Sequence, residues 1–144
     1  MIFVCSSCKK NDSSIPFEGE SRLLSYLETQ VGLNSNNKKS IIFLLQNASC
    51  ICTEENIAFA NSIAASEKYS DYTKVVVVGK KDHDAIESLQ DMTKIHVDAE
   101  MSLAKHGLSY YRDKFFEIEN SKVKYWSDVY DETLQDLETK YLFN

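Results

Sequence analysis

Cys50 and Cys52 stand one residue apart at the end of an apolar run, within Ser40-Ile41-Ile42-Phe43-Leu44-Leu45-Gln46-Asn47-Ala48-Ser49-Cys50-Ile51-Cys52-Thr53-Glu54-Glu55. Ser40 to Gln46 reads as a buried strand and Thr53 to Glu67 as a helix, so both thiols fall at a strand-to-helix junction. A thiol at a helix N-terminus meets the positive end of the helix dipole and unpaired N–H groups. That setting favours thiolate, the nucleophilic form of sulfur. Three chemistries are open. In thiol–disulfide exchange one thiolate attacks a substrate disulfide and the other resolves the mixed disulfide. Cys50, in the exposed turn, is the expected attacker and Cys52 the resolving partner. A Cys-x-Cys disulfide closes a tighter ring than Cys-x-x-Cys, and such strain raises the reduction potential, favouring oxidation or isomerisation. In a second reading Cys52, alone or with Ser49, senses peroxide or thiols. In a third the sulfurs are buried packing or an inert bridge, since free cysteine is among the most buried residue types.

The elements that must position this pair are legible in the apolar spacing. Leu23, Leu24, Leu27 and Val31 recur at helical intervals and predict a helix over Glu18 to Leu33, stopped near Gly32. Asn34 to Lys39 is a polar loop. Ser40 to Gln46 is apolar on both faces, as a central strand of a covered sheet must be. In the next helix Thr53 is placed to cap, Glu54 and Glu55 suit the first turn, and Ile57, Ala60, Ile63 and Ala64 form the inner stripe. Lys74 to Val78, with four consecutive valines and then Gly79, is a second buried strand. A short helix over Asp82 to Asp91, a strand at Lys94 to Val97 and a helical segment over Ala99 to His106 follow. Asp98 is placed to cap that segment, and His106 to face its C-terminus. Phe115 to Glu119 and Lys122 to Trp126 flank Asn120-Ser121, the signature of a two-residue hairpin turn. Asp131 to Leu142 is an amphipathic helix with Leu134, Leu137, Tyr141 and Leu142 inward and an acidic, solvated outer face. Alternating strands and helices predict an α/β domain, a central mixed sheet with helices on both faces and a C-terminal hairpin plus helix. Tyr110, Tyr111, Phe115, Phe116, Tyr125, Trp126 and Tyr130 read chiefly as packing around that hairpin.

Composition narrows the function classes. The 144 residues fit one domain. A net charge of −6, with only three adjacent Lys pairs (Lys9-Lys10, Lys38-Lys39, Lys80-Lys81), argues against nucleic acid as a partner. The cysteines form two pairs, Cys5/Cys8 and Cys50/Cys52, and His83, His96 and His106 are scattered. No ligand spacing resembles a structural zinc site, and no metal or other cofactor is expected.

The order of elements, with cysteines at the first strand-to-helix junction and a late hairpin, resembles the thioredoxin superfamily. It looks most like envelope thiol–disulfide oxidoreductases related to peroxiredoxins. Cys52-Thr53-Glu54-Glu55, Asp98, Gly107-Leu108 and Phe116-Glu117-Ile118-Glu119-Asn120-Ser121-Lys122-Val123 carry the resemblance. It implies a thioredoxin-like fold acting on protein thiols or disulfides, and equally a non-catalytic binding module on the same frame. This chain departs from that family's Cys-x-x-Cys: matching Cys52 to the second cysteine puts Ser49 at the nucleophile place, and matching Cys50 to the first puts Thr53 at the second. The family's cis-proline is also replaced. The hairpin match puts Asp113, or a neighbour such as Arg112, at its place, and the resemblance implies a substrate-groove role for these residues, with a trans bond expected there.

The N-terminus, Met1-Ile2-Phe3-Val4-Cys5-Ser6-Ser7-Cys8-Lys9-Lys10, resembles the end of a bacterial lipoprotein signal. The resemblance implies a lipid on Cys8 and a periplasmic or outer-membrane location. The charged n-region is missing and the apolar segment is short for a signal peptide, so a start codon upstream of Met1 is expected with this reading. Residues 1–17 then form a signal remnant and tether, and residues 18–144 a single domain.

Overall fold

The two longest apolar runs make the centre of the sheet. In the computed structural model, which describes residues 16–34, 37–45, 53–79, 86–108, 110 and 112–143, β1 (Lys39–Leu45) is buried from Ser40 onward and β2 (Thr73–Gly79) from Lys74 to Val78. They pair in parallel, from Ser40 opposite Thr73 to Leu45 opposite Val78. Helix α2 (Thr53–Ala65) lies between them in sequence. β3 (Lys94–Asp98) adds in parallel outside β2. On the other side β4 (Lys114–Glu119) runs antiparallel to β1, and β5 (Lys122–Asp128) antiparallel to β4. The sheet order is β3-β2-β1-β4-β5. Asn120 and Ser121 turn the β4–β5 hairpin with φ of 52° and 62°, the positive-φ geometry that matches strand twist.

Successive strand residues face opposite sides, and helices cover both. On one side Ile41, Phe43, Val76, Val78 and Phe115 meet Ile57, Phe59, Ala60 and Ile63 of α2 and Leu134, Leu137 and Tyr141 of α4 (Asp131–Tyr141). On the other, Ile42, Leu44, Val75, Val77 and Phe116 lie under Leu23, Tyr26, Leu27 and Val31, with Leu103 of α3 (Ser102–Lys105). Leu23 and Tyr26 belong to α1 (Glu20–Tyr26), which continues as a π-helical turn through Leu27–Val31. Gly32, at φ 88°, ends it, and the Lys94 ammonium donates to the Val31 carbonyl.

Three predicted helices depart most from the extent their apolar spacing implies. The first begins at Glu20 rather than Glu18. The helix expected over Asp82 to Asp91 is, within its described part, a single 3-10 turn at 86–88; residues 82–85 lie outside the described residues. There the Asn61 amide donates to the Ser88 carbonyl (2.7 Å) and its oxygen accepts the Gln90 N–H (2.8 Å). A side chain on α2 thus satisfies backbone groups that a longer helix would have paired internally. The segment after β3 is helical only over Ser102–Lys105, because Asp98 caps it from a distance: its carboxylate accepts the Ser102 N–H (2.9 Å) and the Leu103 N–H (3.1 Å).

Candidate functional site

Ser49, Cys50, Cys52 and Cys8 lie outside the described residues, so the site is built from its frame. β1 ends at Leu45 and α2 begins at Thr53, which puts the three junction residues between these elements in the chain. Leu44 pairs with Lys114. The segment Arg112–Asp113, which leads into β4, therefore sits at the end of the sheet from which the chain leaves β1.

The two residues behave differently there. Asp113 is 3% exposed. One of its oxygens accepts a hydrogen bond from the Asn56 side-chain amide at 2.8 Å, and the same amide donates to the Val129 carbonyl at 3.1 Å. The Val129 N–H closes the set by donating to the Asp113 carbonyl at 2.8 Å. Asn56, 1% exposed, lies near the start of α2. Its amide thus ties that helix to the segment entering β4 and the segment leaving β5. Its carbonyl oxygen is buried with no partner among the described residues. Sequence reasoning passed over Asn56, although the signal was present. Residues 56, 60 and 63 share one helix face, and a polar residue on an inward face requires a buried partner. The Arg112–Asp113 bond is trans, as is every described peptide bond.

Arg112 faces outward. Its guanidinium stacks 3.9 Å from the centre of the Tyr130 ring and lies 4.0 Å from an Asp128 carboxylate oxygen. The other Asp128 oxygen pairs with the Lys114 ammonium. Lys114 is mostly buried and sits over the rings of Tyr110 (4.7 Å) and Trp126 (5.1 Å). A desolvated cation needs both the carboxylate and the negative faces of the rings. Phe17 stacks edge-on to Phe116 and tilted against Trp126, so the aromatic residues here pack as expected; Tyr111 lies outside the described residues.

A second polar group surrounds Asp98 at the end of β3. Tyr26 donates its hydroxyl to Asp98 at 3.1 Å. Burial first, and the Asp98 charge second, push the Tyr26 pKa well above the ordinary phenol value. The rings of His96 and His106 stand edge-on to Tyr26 at 6.1 and 5.4 Å. Burial lowers the His96 pKa, and the opposing pull of Asp98 does not offset it. His106 Nδ1 lies 2.8 Å from the Ser102 carbonyl, the helix-end role read from sequence. With both carboxylate oxygens engaged, Asp98 serves as a cap and a phenol acceptor. Among the described residues no group of three or more His, Cys, Asp or Glu could hold a metal ion, and no helix is long and apolar enough to cross a membrane.

Strand order, the two helical layers and the hairpin-plus-helix ending define a thioredoxin-like α/β fold. Solved structures that share it include two thiol–disulfide proteins. One is a secreted Mycobacterium tuberculosis disulfide oxidoreductase homologous to E. coli DsbE, at 12% identity and TM-score 0.53, covering 65% of this chain and 71% of that one. The other is a putative thiol:disulfide interchange protein DsbE from Chlorobium tepidum, at 15% identity and TM-score 0.55, covering 76% and 80%. No family model and no curated protein matches the chain.

Proposed function

We propose that the protein is a thiol–disulfide oxidoreductase of the bacterial cell envelope that acts on protein thiols or disulfides through Cys50 and Cys52. The observation that carries this reading is the frame. β1 ends and α2 begins on either side of the cysteines, with Arg112–Asp113 at the same sheet end, in a fold shared with two DsbE-type proteins. The Cys50 thiolate attacks a substrate disulfide, forming a mixed disulfide and releasing one substrate thiolate. The Cys52 thiolate then attacks the Cys50 sulfur, releasing the second substrate thiolate and leaving a Cys50–Cys52 disulfide, so two electrons pass to the substrate. The tight ring of that disulfide raises its potential and favours the reverse direction, oxidation or isomerisation of client proteins. Ser49 flanks the attacking sulfur. Arg112 is the groove residue that reaches solvent, and Asp113 holds the groove segment from beneath through Asn56.

Envelope placement is supported by the same likeness together with the residues before Cys8. In this reading a lipid on Cys8 anchors the chain, residues 1–17 tether it, and residues 18–144 form the working domain. Mass spectrometry of envelope-expressed protein, with Cys8→Ala as control, tests the lipid: a mature N-terminus other than modified Cys8 refutes it. A second reading, a non-catalytic binding module, is favoured by the buried Asp113 side chain where the resemblance calls for proline. Insulin reduction and refolding of a reduced disulfide protein, with Cys50→Ser and Cys52→Ser, separate the two. The oxidoreductase reading requires Cys50→Ser to abolish turnover and Cys52→Ser to accumulate mixed disulfide. If neither substitution alters a measurable activity, the enzyme reading fails and the binding module stands.

A further inference from the structure

A groove of about 270 Å³ runs between α2 and α4 on the surface of the first helical layer. Its floor is apolar: Phe59 and Leu134 are almost fully buried beneath it, and Ala58 and half-buried Leu142 extend it. Its rim is acidic, with Glu55 on α2 and Glu138 on α4. No salt bridge among the described residues neutralises either carboxylate. The α4 ammonium of Lys140 lies instead over the Tyr125 and Tyr141 rings. Beyond Leu142 the chain leaves Phe143 with 73% of its surface exposed, one of two large apolar side chains so exposed among the described residues. The volume falls below the range of small-molecule pockets, roughly 300–1,000 Å³, and suits one large apolar side chain.

We propose that this groove docks a basic amphipathic polypeptide segment, which inserts an aliphatic or aromatic side chain between Phe59 and Leu134 and pairs flanking Lys or Arg with Glu55 and Glu138. Charge complementarity selects the occupant. An apolar anchor accounts for the floor, and two unneutralised carboxylates facing across it exclude an acidic segment and disfavour a second copy of this chain, whose net charge is −6. An amphipathic helix presents such an anchor on its apolar face with basic residues flanking it. The proposal does not depend on exchange at Cys50 and Cys52.

The test is a titration of the isotope-labelled full chain with a synthetic helical peptide carrying Leu at i, i+3, i+4 and i+7 and Lys elsewhere, followed by amide chemical shifts. Saturable shifts are expected on α2 and α4 around Ala58, Ser62 and Leu142. Glu55→Gln with Glu138→Gln is expected to weaken binding roughly fivefold or more, the scale of two rim ion pairs. Ala58→Arg, which puts bulk and like charge into the groove, should abolish it. Glu67→Gln with Glu132→Gln, the same charge change outside the groove lining, should leave it intact. Circular dichroism of each variant separates loss of binding from loss of fold. Equal binding of a Leu→Ser peptide overturns the proposal in favour of plain charge attraction. Equal binding of a Lys→Glu peptide overturns it in favour of apolar adhesion, and shifts elsewhere or none overturn it outright.

Discussion

Replacing Asn56 by aspartate changes one heavy atom and places a carboxylate against a carboxylate inside the protein. In the parent chain the Asn56 amide donates to Asp113 at 2.8 Å, with both residues buried. Two charges at that separation repel by about 6 kcal/mol at an effective dielectric of 20. The variant has a cheaper escape, which is to protonate one of the pair. Taking a carboxyl with an unfolded pKa of about 3.9 into its neutral form at pH 7 costs about 4 kcal/mol, at 1.36 kcal/mol per pH unit. The smaller figure sets the loss. A further ~1 kcal/mol follows from the Val129 carbonyl losing its donor. The sign is fixed. The folded-state pKa of the new pair is raised, so stability is present at low pH and falls as pH rises above about 4. At pH 4 the introduced carboxyl, once protonated, donates to Asp113 much as the amide did, and the deficit shrinks to roughly 1 kcal/mol.

Asp113→Asn is expected to cost only about 1–2 kcal/mol, because a neutral acceptor replaces a charged one. Asn56→Asp combined with Asp113→Asn reverses the direction of the hydrogen bond and restores one charge facing one amide. Urea unfolding of the four proteins at pH 7 and pH 4 reads the cycle. A coupling of at least about 2 kcal/mol at pH 7 that collapses at pH 4 is the expected result, since only contacting residues couple on that scale. If Asn56→Asp tracks the parent chain in its pH dependence, or the combined variant is no better than the sum of the single ones, the tie between α2 and the β4 entry does not exist as described.

Three further outcomes follow from other parts of the molecule. Ser121 holds φ 62° in the hairpin turn, so Ser121→Gly should raise the calorimetric Tm by about 1–3 °C, and a fall would refute strain there. Burial pushes the phenols of Tyr69 and Tyr110 up to about 12. Unfolded tyrosines titrate near 10, so the contribution of these two phenols to folding stability should be constant below about pH 10 and fall between roughly 10 and 12; a phenolate absorbance step at the ordinary value in the folded protein would contradict this. Tyr26→Phe removes the hydroxyl that reaches Asp98 and should cost about 1–2 kcal/mol in urea unfolding; no measurable loss would show that Ser102 and Leu103 alone satisfy that carboxylate.

Residues differ in how far their position could be read from the chain alone, and the difference is one of sequence separation. Ile41 to Leu45 and Val75 to Val78 announce covered strands because every neighbour is apolar, and β1 and β2 fall within a residue of their expected starts. Asn120-Ser121 announces its turn because two adjacent residues suffice to make it. The junction holding Cys50 and Cys52 was legible for the same reason, as the boundary of two local patterns. Asp113 was assigned only through the family resemblance, and its contact with Asn56 spans 57 positions. No local pattern predicts which inward polar residue finds which. The segment expected to be helical over 82–91 departs for a similar reason: Asn61, more than twenty residues earlier in the chain, supplies the hydrogen bonds that hold its described part.

The Asn56 contact also bears on how the proposed chemistry would be held. Proline fixes a backbone by its own ring, whatever the neighbours do. At Asp113 the same segment is fixed by hydrogen bonds that reach across to α2 and to Val129. Part of what fixes that segment is therefore a tie to the helix that follows the cysteines in the chain. If the oxidoreductase reading holds, disturbing this segment also disturbs the start of α2, the dipole end expected to favour thiolate. A proline-built groove, in the oxidoreductase reading, lets substrate binding and thiol reactivity vary separately, whereas a tie through the buried Asn56 amide couples them. In the oxidoreductase reading, substitutions at Asn56 should change the cysteine pKa and substrate binding together, while substitutions at exposed Arg112 should change binding alone.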